Sequence, residues 1–228
     1  MIPIRDKNPT DLFPLITLSI IVANVVMFAY QVSLGDRQFQ QFTISFALIP
    51  AAYLANPFSP GQYTLMFTSM FLHGGLLHLV GNMLFLWIFG NNIEDYFGHV
   101  RFALFYLACG AIATLAHIFA HPSSAVPVIG ASGAISGVLG AYFLIFPRAR
   151  VVTLIPIFFF LYFIEVPAYF FLGVYILLQI LSALPTLSVG AAAAQGIAWF
   201  AHIGGFFAGI LLLLVIGKRR GFRKRQFY

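Results

Sequence analysis

Apolar residues dominate the chain between residues 12 and 217, and charged residues interrupt them only in short clusters. A helix needs roughly 20 apolar residues to cross the hydrocarbon core of a membrane. Runs of about this length, bounded by charged residues or by Pro and Gly, predict six membrane-spanning helices. The predicted spans are residues 13–34, 76–93, 101–120, 131–147, 165–184 and 195–217.

The stretch from Val151 to Leu184 leaves the number of spans open, because its 34 residues exceed one span. Short cytoplasmic loops collect Lys and Arg, and this rule decides the number. Six spans with the N-terminus inside leave only Arg37 outside, whereas a seventh span would export the six basic residues after residue 217. We therefore predict six spans with both termini in the cytoplasm, and we predict that residues 151–164 form an apolar connection lying against the bundle.

The segment from Asp36 to Gly75 is predicted to be an unusual outer loop. It is aromatic and broken by proline, and it is too apolar to be merely solvated. Short helices half-immersed in the outer interface would account for this composition. The glycine-rich motifs of the later spans do not recur in the first half of the chain, which argues against a transporter built from inverted repeats.

Composition supports an integral membrane protein with one polytopic domain over residues 1–228. The chain is 61% hydrophobic and only 8% charged, well outside the range of soluble domains. The first apolar run is too long for a signal-peptide core, so the first helix is expected to be retained. The net charge of +6 is divided among short loops and a basic tail at residues 218–228. Topology and anionic lipid therefore explain the charge better than nucleic acid does.

Cysteine content limits the possible chemistry. Cys109 is the single cysteine, which excludes an intramolecular disulfide and a cysteine-based zinc cluster.

Polar side chains within the spans are costly and are often functional. Three spans that run from outside to inside each place a reactive group 16 residues before a charged residue. At 1.5 Å per residue, these groups lie about 24 Å above the cytoplasmic charges. The spacing predicts that they converge at one depth. The pairs are Ser132 with Arg148, His202 with Lys218, and His78 with Glu94.

Glycine pairs predict that the fourth and sixth spans approach closely. Gly133 and Gly137 form a small-xxx-small pair on the fourth span, and Gly205 and Gly209 form another below His202. Close packing can bring the Ser132 hydroxyl within hydrogen-bond reach of the imidazole. A serine beside a neutral histidine is an activated nucleophile, because the imidazole takes the proton during attack.

Further groups could stabilise an oxyanion. Ser132 begins a predicted helix, where backbone N–H groups have no intrahelical partner. Its N–H, the Asn82 amide and the His78 imidazole could together form an oxyanion hole, since Asn82 lies one helical turn below His78. Five of the acidic residues fall on the cytoplasmic side, and Asp36 falls in the outer loop. No carboxylate is placed to orient His202, so we predict a Ser-His dyad.

Several motifs together resemble those of the rhomboid intramembrane serine proteases, over nearly the whole chain. The segment "GASGAISG" is similar to the family's G-x-S-G nucleophile motif, with Gly130 before Ser132. The segment "AHIGGFFAG" resembles its histidine motif at His202. The segment "FLHGGLLHLVGN" carries His78 and Asn82, and "EDYFGHVRF" resembles the cytoplasmic turn.

The resemblance implies an all-α, six-helix bundle with an outward-opening, water-filled cavity and a partly membrane-embedded first outer loop. It implies cofactor-free hydrolysis of peptide bonds in or beside the transmembrane helices of substrate proteins. We expect a multi-pass protein of a prokaryotic cytoplasmic membrane, with the lipid bilayer and transmembrane substrates as partners. The sequence leaves the oligomeric state open. Substrate access between the second and fifth spans, with Tyr169 and Tyr175 as gate aromatics, is a further expectation from the family.

Two departures from the family pattern concern the outer loop and position 136. The loop lacks the Trp-Arg pair common in the family, and Ser136 stands where many members carry an aromatic side chain that packs on the catalytic histidine. Ser136 lies one turn below Ser132 on the same face. It could be a small packing residue, or its hydroxyl could orient His202 and partly replace the absent carboxylate.

Alternative interpretations remain for several residues. His73 is interpreted as a structural loop residue. His117 and His121 have the i, i+4 spacing of a metal pair, but no Glu-containing motif accompanies them, and no metal is expected. The alternative function is a proteolytically silent rhomboid-like protein that binds membrane helices, although inactive members typically lose Ser or His.

Overall fold

A computed structural model describes residues 1–189 and 197–222 of the chain. The described part is mostly helical, as predicted, with a small sheet in addition. In chain order the elements are β1 (Ile2–Asp6), α1 (Leu15–Ser33), α2 (Asp36–Phe46), α3 (Pro50–Ala55), α4 (Pro60–Thr68), α5 (Leu76–Phe97), α6 (His99–Ala120), α7 (Ser132–Ile145), β2 (Arg150–Ile157), β3 (Phe160–Pro167), α8 (Ala168–Val189) and α9 (Trp199–Ile216).

Five of the six predicted spans are helices long and apolar enough to cross a membrane, namely α1, α5, α6, α8 and α9. The fourth predicted span is the shorter helix α7, whose 14 residues measure about 21 Å at 1.5 Å per residue. Helix α7 packs against α6, α8 and α9, and most of its residues are buried. The fourth predicted span is therefore a short, mostly buried helix within the bundle.

Charged residues near the end of α5 anchor the first span. The fully buried Glu94 carboxylate accepts hydrogen bonds of 2.8 Å from the backbone N–H groups of Ile16 and Thr17. A carboxylate at the start of α1 accepts hydrogen bonds from N–H groups that lack intrahelical partners. Its negative charge also interacts favourably with the positive end of the helix dipole. Asp95 accepts from the Leu12 N–H at 3.1 Å and from Arg219 Nη2 at 2.6 Å. We call this end of the bundle, with β1 and residues 217–222, the basal end.

The predicted outer loop folds into three short helices, α2 to α4, followed by one 3₁₀ turn at Ser69–Phe71. Gln31 of α1 ties this segment to the bundle. Its amide donates to Thr43 Oγ1 at 2.9 Å, and its carbonyl accepts from the His73 N–H at 3.2 Å. Helices in this loop are thus confirmed, and their half-immersion in a membrane interface stays a prediction.

The prediction for residues 151–164 was wrong in part. They form strands β2 and β3, which pair with each other, and β2 also pairs with β1 in an antiparallel sheet. Val151 and Thr153 are buried, but the turn residues Phe158 and Phe159 are 95% and 98% exposed. β-branched residues favour strands. Pairing in a sheet also gives hydrogen-bond partners to backbone N–H and C=O groups that would have none in an irregular connection. The segment therefore projects from the bundle at the hairpin turn instead of lying against it.

The fifth span begins later than predicted. Helix α8 starts at Ala168 and not at residue 165, because residues 165–167 complete β3. Pro167 accounts for the shift, since a proline disfavours the helical conformation of the residue before it. The sixth span was predicted to begin at residue 195. That position lies outside the described residues, and the described helix α9 starts at Trp199.

Candidate active site

Ser132 and His202 meet in the middle of the bundle. Ser132 is the first residue of α7, and His202 lies in the first turn of α9. The Ser132 hydroxyl is 2.8 Å from His202 Nε2, which is hydrogen-bond distance. The predicted convergence of the two side chains is therefore confirmed, although they are 70 residues apart in the chain.

A seam of glycines explains how the two helices come so close. A Cβ atom added to Gly205 would overlap the carbonyl oxygen of Gly133, and one added to Gly209 would overlap that of Gly137. A third contact continues the seam, because a Cβ on Gly140 would overlap the carbonyl oxygen of Phe206. The predicted pairs thus put the backbones of α7 and α9 in direct contact, which is the use of small residues in membrane helices.

Gly130 shapes the loop that leads into Ser132. Its φ angle of +111° is one that residues with side chains rarely adopt. A Cβ atom here would also lie 2.8 Å from His78 Cε1 and Nε2. The Gly130 N–H donates to the Ser69 carbonyl at 2.8 Å, which fixes the loop. Glycine therefore lets the backbone before Ser132 pack directly against the His78 ring.

His78 and Asn82 lie on the face of α5 that points to Ser132. The Asn82 amide nitrogen is 2.9 Å from His73 Nε2, and the His73 and His78 rings make an edge contact with centroids 5.0 Å apart. His73 is fully buried, and both its backbone N–H and its carbonyl contact Gln31. The interpretation of His73 as a structural loop residue thus did not foresee its contact with Asn82. A spacing of five residues does not put His73 on the helix face of His78, so helical periodicity gave no sign of this contact.

A cavity of about 230 Å³ adjoins the serine and histidine. The cavity lies between α5 and α8. Polar side chains of α5, α7, α8 and α9 line it. Its lining includes His78, Asn82, Ser132, Tyr175, Gln179 and His202, with the apolar residues Leu77, Gly81, Phe85, Ile135 and Leu139. The serine–histidine pair is thus open to a cavity lined by several hydrogen-bonding groups and by apolar side chains.

The hypothesis that Ser136 orients His202 is wrong. Ser136 is fully buried, and its hydroxyl is 2.6 Å from the Tyr175 hydroxyl of α8. The second ring nitrogen of His202, Nδ1, lies 2.7 Å from Gln179 Oε1 instead. Sequence analysis did not single out Gln179. A polar amide in the otherwise apolar run of the predicted fifth span was the signal that could have identified it.

Other predicted candidates lie away from this arrangement. Tyr175 lines the cavity, whereas Tyr169 does not and is half exposed. The His117 and His121 rings are in contact, and His121 Nε2 is 3.1 Å from Thr186 Oγ1. Among the residues that the structure describes, no cluster of three His, Cys, Asp or Glu side chains could hold a metal ion.

Fold and site together define a multi-pass helical membrane protein in which a serine–histidine pair adjoins a cavity inside the bundle. The family profile described as "Rhomboid domain" matches residues 60–219, which include Ser132, His202 and all the residues that line the cavity. The chain belongs to the rhomboid family. Membrane serine proteases are characteristic of this family, and it also contains inactive members.

Relatives of the chain come from bacteria, plants and animals. The chain is 42% identical over 81 residues to "Rhomboid protease GluP" of Bacillus subtilis, and these 81 residues are 36% of this chain and 15% of the relative. It is 43% identical over 77 residues to "RHOMBOID-like protein 6, mitochondrial" of Arabidopsis thaliana, which covers 33% and 24%. It is 33% identical over 108 residues to "Presenilin-associated rhomboid-like protein A, mitochondrial" of Danio rerio, which covers 46% and 28%. The chain thus matches less than a third of the length of each of these relatives.

Proposed function

We propose that the protein is an intramembrane serine endopeptidase that hydrolyses peptide bonds in or next to the transmembrane helices of other membrane proteins. The observation that carries the proposal is the 2.8 Å hydrogen bond between the Ser132 hydroxyl and His202 Nε2 beside the cavity. An alcohol is a weak nucleophile unless a neighbouring base accepts its proton. Family membership and the G-x-S-G sequence around Ser132 support the same assignment.

In the proposed reaction, Ser132 Oγ attacks the carbonyl carbon of the scissile bond while His202 Nε2 takes the hydroxyl proton. The tetrahedral intermediate collapses to an acyl-enzyme ester, and His202 returns the proton to the leaving amine. A water molecule then attacks the ester carbonyl while His202 takes one of its protons. Collapse of this second tetrahedral intermediate breaks the bond to Ser132 Oγ, which receives the proton from His202, so the carboxylic acid product leaves and Ser132 is restored. The proposed reaction uses no metal ion and no cofactor.

The proposed oxyanion hole comprises the Ser132 backbone N–H, the Asn82 amide and the His78 ring. The Asn82 nitrogen carries two N–H bonds, so one can contact His73 while the other remains available to the cavity. His78 lies against Gly130 and lines the same cavity. Donors fixed in this way stabilise the negative charge that develops on the substrate oxygen.

The proposed orientation puts the basal end in the cytoplasm, because short cytoplasmic segments collect Lys and Arg. Arg5, Lys7, Arg101 and Lys218 belong to segments at this end, and Arg101 donates to the Lys218 carbonyl at 3.0 Å. The cavity then lies nearer the outer face, and a substrate helix would reach it between α5 and α8. We propose a prokaryotic cytoplasmic membrane as its location.

Labelling with a serine-directed fluorophosphonate tests the function in detergent-solubilised protein. Ser132 Oγ would bond to phosphorus, fluoride would leave, and His202 would take the hydroxyl proton. We expect labelling of the wild type in the presence of a chelator, none of Ser132→Ala, and almost none of His202→Ala. Equal labelling of wild type and Ser132→Ala would reject the assignment. A wild type that folds and does not label would favour the silent helix-binding alternative.

A further inference from the structure

The His202 ring connects two other helices through its two nitrogens. Nε2 faces the Ser132 hydroxyl of α7 at 2.8 Å, and Nδ1 faces Gln179 Oε1 of α8 at 2.7 Å. Both ring nitrogens therefore have a defined partner. The ring is held at two points on opposite edges, so it cannot rotate without breaking one of these contacts.

The chemistry of the carboxamide oxygen fixes the protonation pattern of the ring. An amide oxygen accepts hydrogen bonds and donates none, so the ring nitrogen that faces it must carry the proton. A neutral imidazole with its proton on Nδ1 has a free lone pair on Nε2. That lone pair is the one that must accept the Ser132 proton. Gln179 thus selects the tautomer in which His202 acts as a base toward Ser132.

Gln179 is itself well placed to hold a fixed position. It is 9% exposed and lies one helical turn beyond Tyr175 on α8. The Tyr175 hydroxyl is 2.6 Å from Ser136 Oγ, so the same face of α8 is joined to α7 at a second point. This second bond holds the register of α8 relative to the helix that carries Ser132.

We propose that Gln179 is a positioning residue that orients His202 and keeps its proton on Nδ1, in the place that a carboxylate takes in a Ser-His-Asp triad. The inference rests on the proposed proteolytic function of Ser132 and His202. A neutral amide oxygen stabilises the imidazolium less than a carboxylate does, because charge-assisted hydrogen bonds are the stronger ones. Gln179 therefore supplies orientation and tautomer control with only part of the electrostatic effect of an acid.

The first test compares rates of fluorophosphonate labelling of Ser132 across a pH series. Gln179→Met keeps a long side chain and removes the amide acceptor. We expect labelling about 10- to 100-fold slower, by analogy with the cost of removing the groups that orient metal-bound histidines. Gln179→Glu restores an acceptor and should recover most of the rate above neutral pH. The acidic limb of the pH profile of the Gln179→Glu labelling rate should move to higher pH, because a carboxylate favours the protonated imidazole.

Thr186→Val is the matched control. It removes a buried hydroxyl from the same helix, two turns away, where the hydroxyl faces His121 and lies outside the cavity. We expect it to label within roughly threefold of the wild type, a difference below about 0.7 kcal/mol in the barrier. The inference is overturned if Gln179→Met labels at the wild-type rate. It is equally overturned if Gln179→Glu is as slow as Gln179→Met and its pH profile does not move, because packing alone would then explain the loss.

A second measurement does not depend on activity. Nitrogen-15 NMR of histidine-labelled protein distinguishes a protonated ring nitrogen from an unprotonated one, and subtraction of a His202→Gln spectrum identifies the His202 signals. We expect a protonated Nδ1 in the wild type and in Ser132→Ala, and a mixture of tautomers in Gln179→Met. Failure of the wild type to label, together with a fixed Nδ1 proton, would reject the protease assignment alone. A mixture of tautomers in the wild type would reject the role of Gln179.

Discussion

Ser136 Oγ and Tyr175 Oη lie 2.6 Å apart and form a hydrogen bond between α7 and α8, one helical turn from Ser132 and from Gln179. Ser136 is fully buried. The bond stands where many family members carry an aromatic side chain on α7 that packs on the histidine. In this chain the residue at that position is a serine whose hydroxyl bonds to Tyr175 of α8.

Ser136→Ala should therefore affect stability more than catalysis. Hydrogen bonds between membrane helices contribute about 0.6 kcal/mol on average and up to about 1.7 kcal/mol. We expect Ser136→Ala to lower the free energy of unfolding by about this amount, with fluorophosphonate labelling of Ser132 close to wild type. Thermal unfolding in detergent and the labelling rate check the two parts. A large loss of labelling without a loss of stability would contradict this structural role of Ser136.

Gly205→Ala should disrupt the seam between α7 and α9. Its methyl group would overlap the Gly133 carbonyl oxygen, and overpacking of this kind costs about 1 to 3 kcal/mol. The helices must separate to accept it, so Ser132 and His202 should lose their hydrogen bond and labelling should fall steeply. Gly173→Ala on α8 is the control, because a Cβ there meets no atom within 4 Å. Equal effects of the two substitutions would contradict the seam.

His78→Ala and Asn82→Ala test the proposed oxyanion donors. Removal of one such donor costs about 10²- to 10³-fold in rate in other serine proteases, and we expect slowing of this order for cleavage and for phosphonylation. The folded protein should persist in both variants. His121→Ala, whose ring pairs with Thr186 away from the cavity, serves as the control. Near-normal rates for both His78→Ala and Asn82→Ala would place the oxyanion hole elsewhere.

Asp6 should make stability depend on pH at the basal end. Burial raises the pKa of the Asp6 carboxyl from 3.8 to about 6, although hydrogen bonds from Tyr142 Oη at 2.6 Å and Asn92 Nδ2 at 2.8 Å oppose the rise. The folded protein then binds a proton that the unfolded chain has already lost between about pH 4 and 6.

Stability should consequently fall as pH rises through this window, by up to about 3 kcal/mol for this group before solvent screening. Chemical denaturation in detergent at a series of pH values measures the change. Asp6→Asn cannot ionise and should remove this part of the pH dependence. A variant with the same pH profile as the wild type would show that Asp6 is not the group responsible.

Much of the fold and of the serine–histidine pair could be predicted, because both depend on features that are local in the sequence. Span lengths come from runs of apolar residues, and the close approach of α7 and α9 comes from Gly133, Gly137, Gly205 and Gly209 at four-residue spacing. Counting residues from the basic boundaries placed Ser132 and His202 at the same depth. The 2.8 Å contact between them confirms that placement.

The residues missed by the sequence analysis depend on contacts between distant segments. Gln179 reaches His202 only because α8 packs beside α9, and nothing in the spacing of the fifth span gives that rotation. His73 reaches Asn82 from an irregular segment, where helical periodicity does not apply. The strands were missed because Val151 to Leu184 was divided by hydropathy and by the distribution of charge. The β pairing with residues 2–6 joins segments about 150 positions apart.

The glycine seam also restricts how the bundle can move. Carbonyl oxygens of Gly133 and Gly137 sit directly over glycines of α9, so a small slide of one helix along the other would drive an oxygen into the next residue's side chain. A displacement of one helical turn, about 5.4 Å, would bring only one of these two carbonyl oxygens onto a glycine again, because α9 carries Ala201 and Leu213 at the neighbouring positions. The helices that carry Ser132 and His202 are therefore confined to one register. We therefore expect the distance between Ser132 and His202 to vary less than the distances between helices that have no such seam.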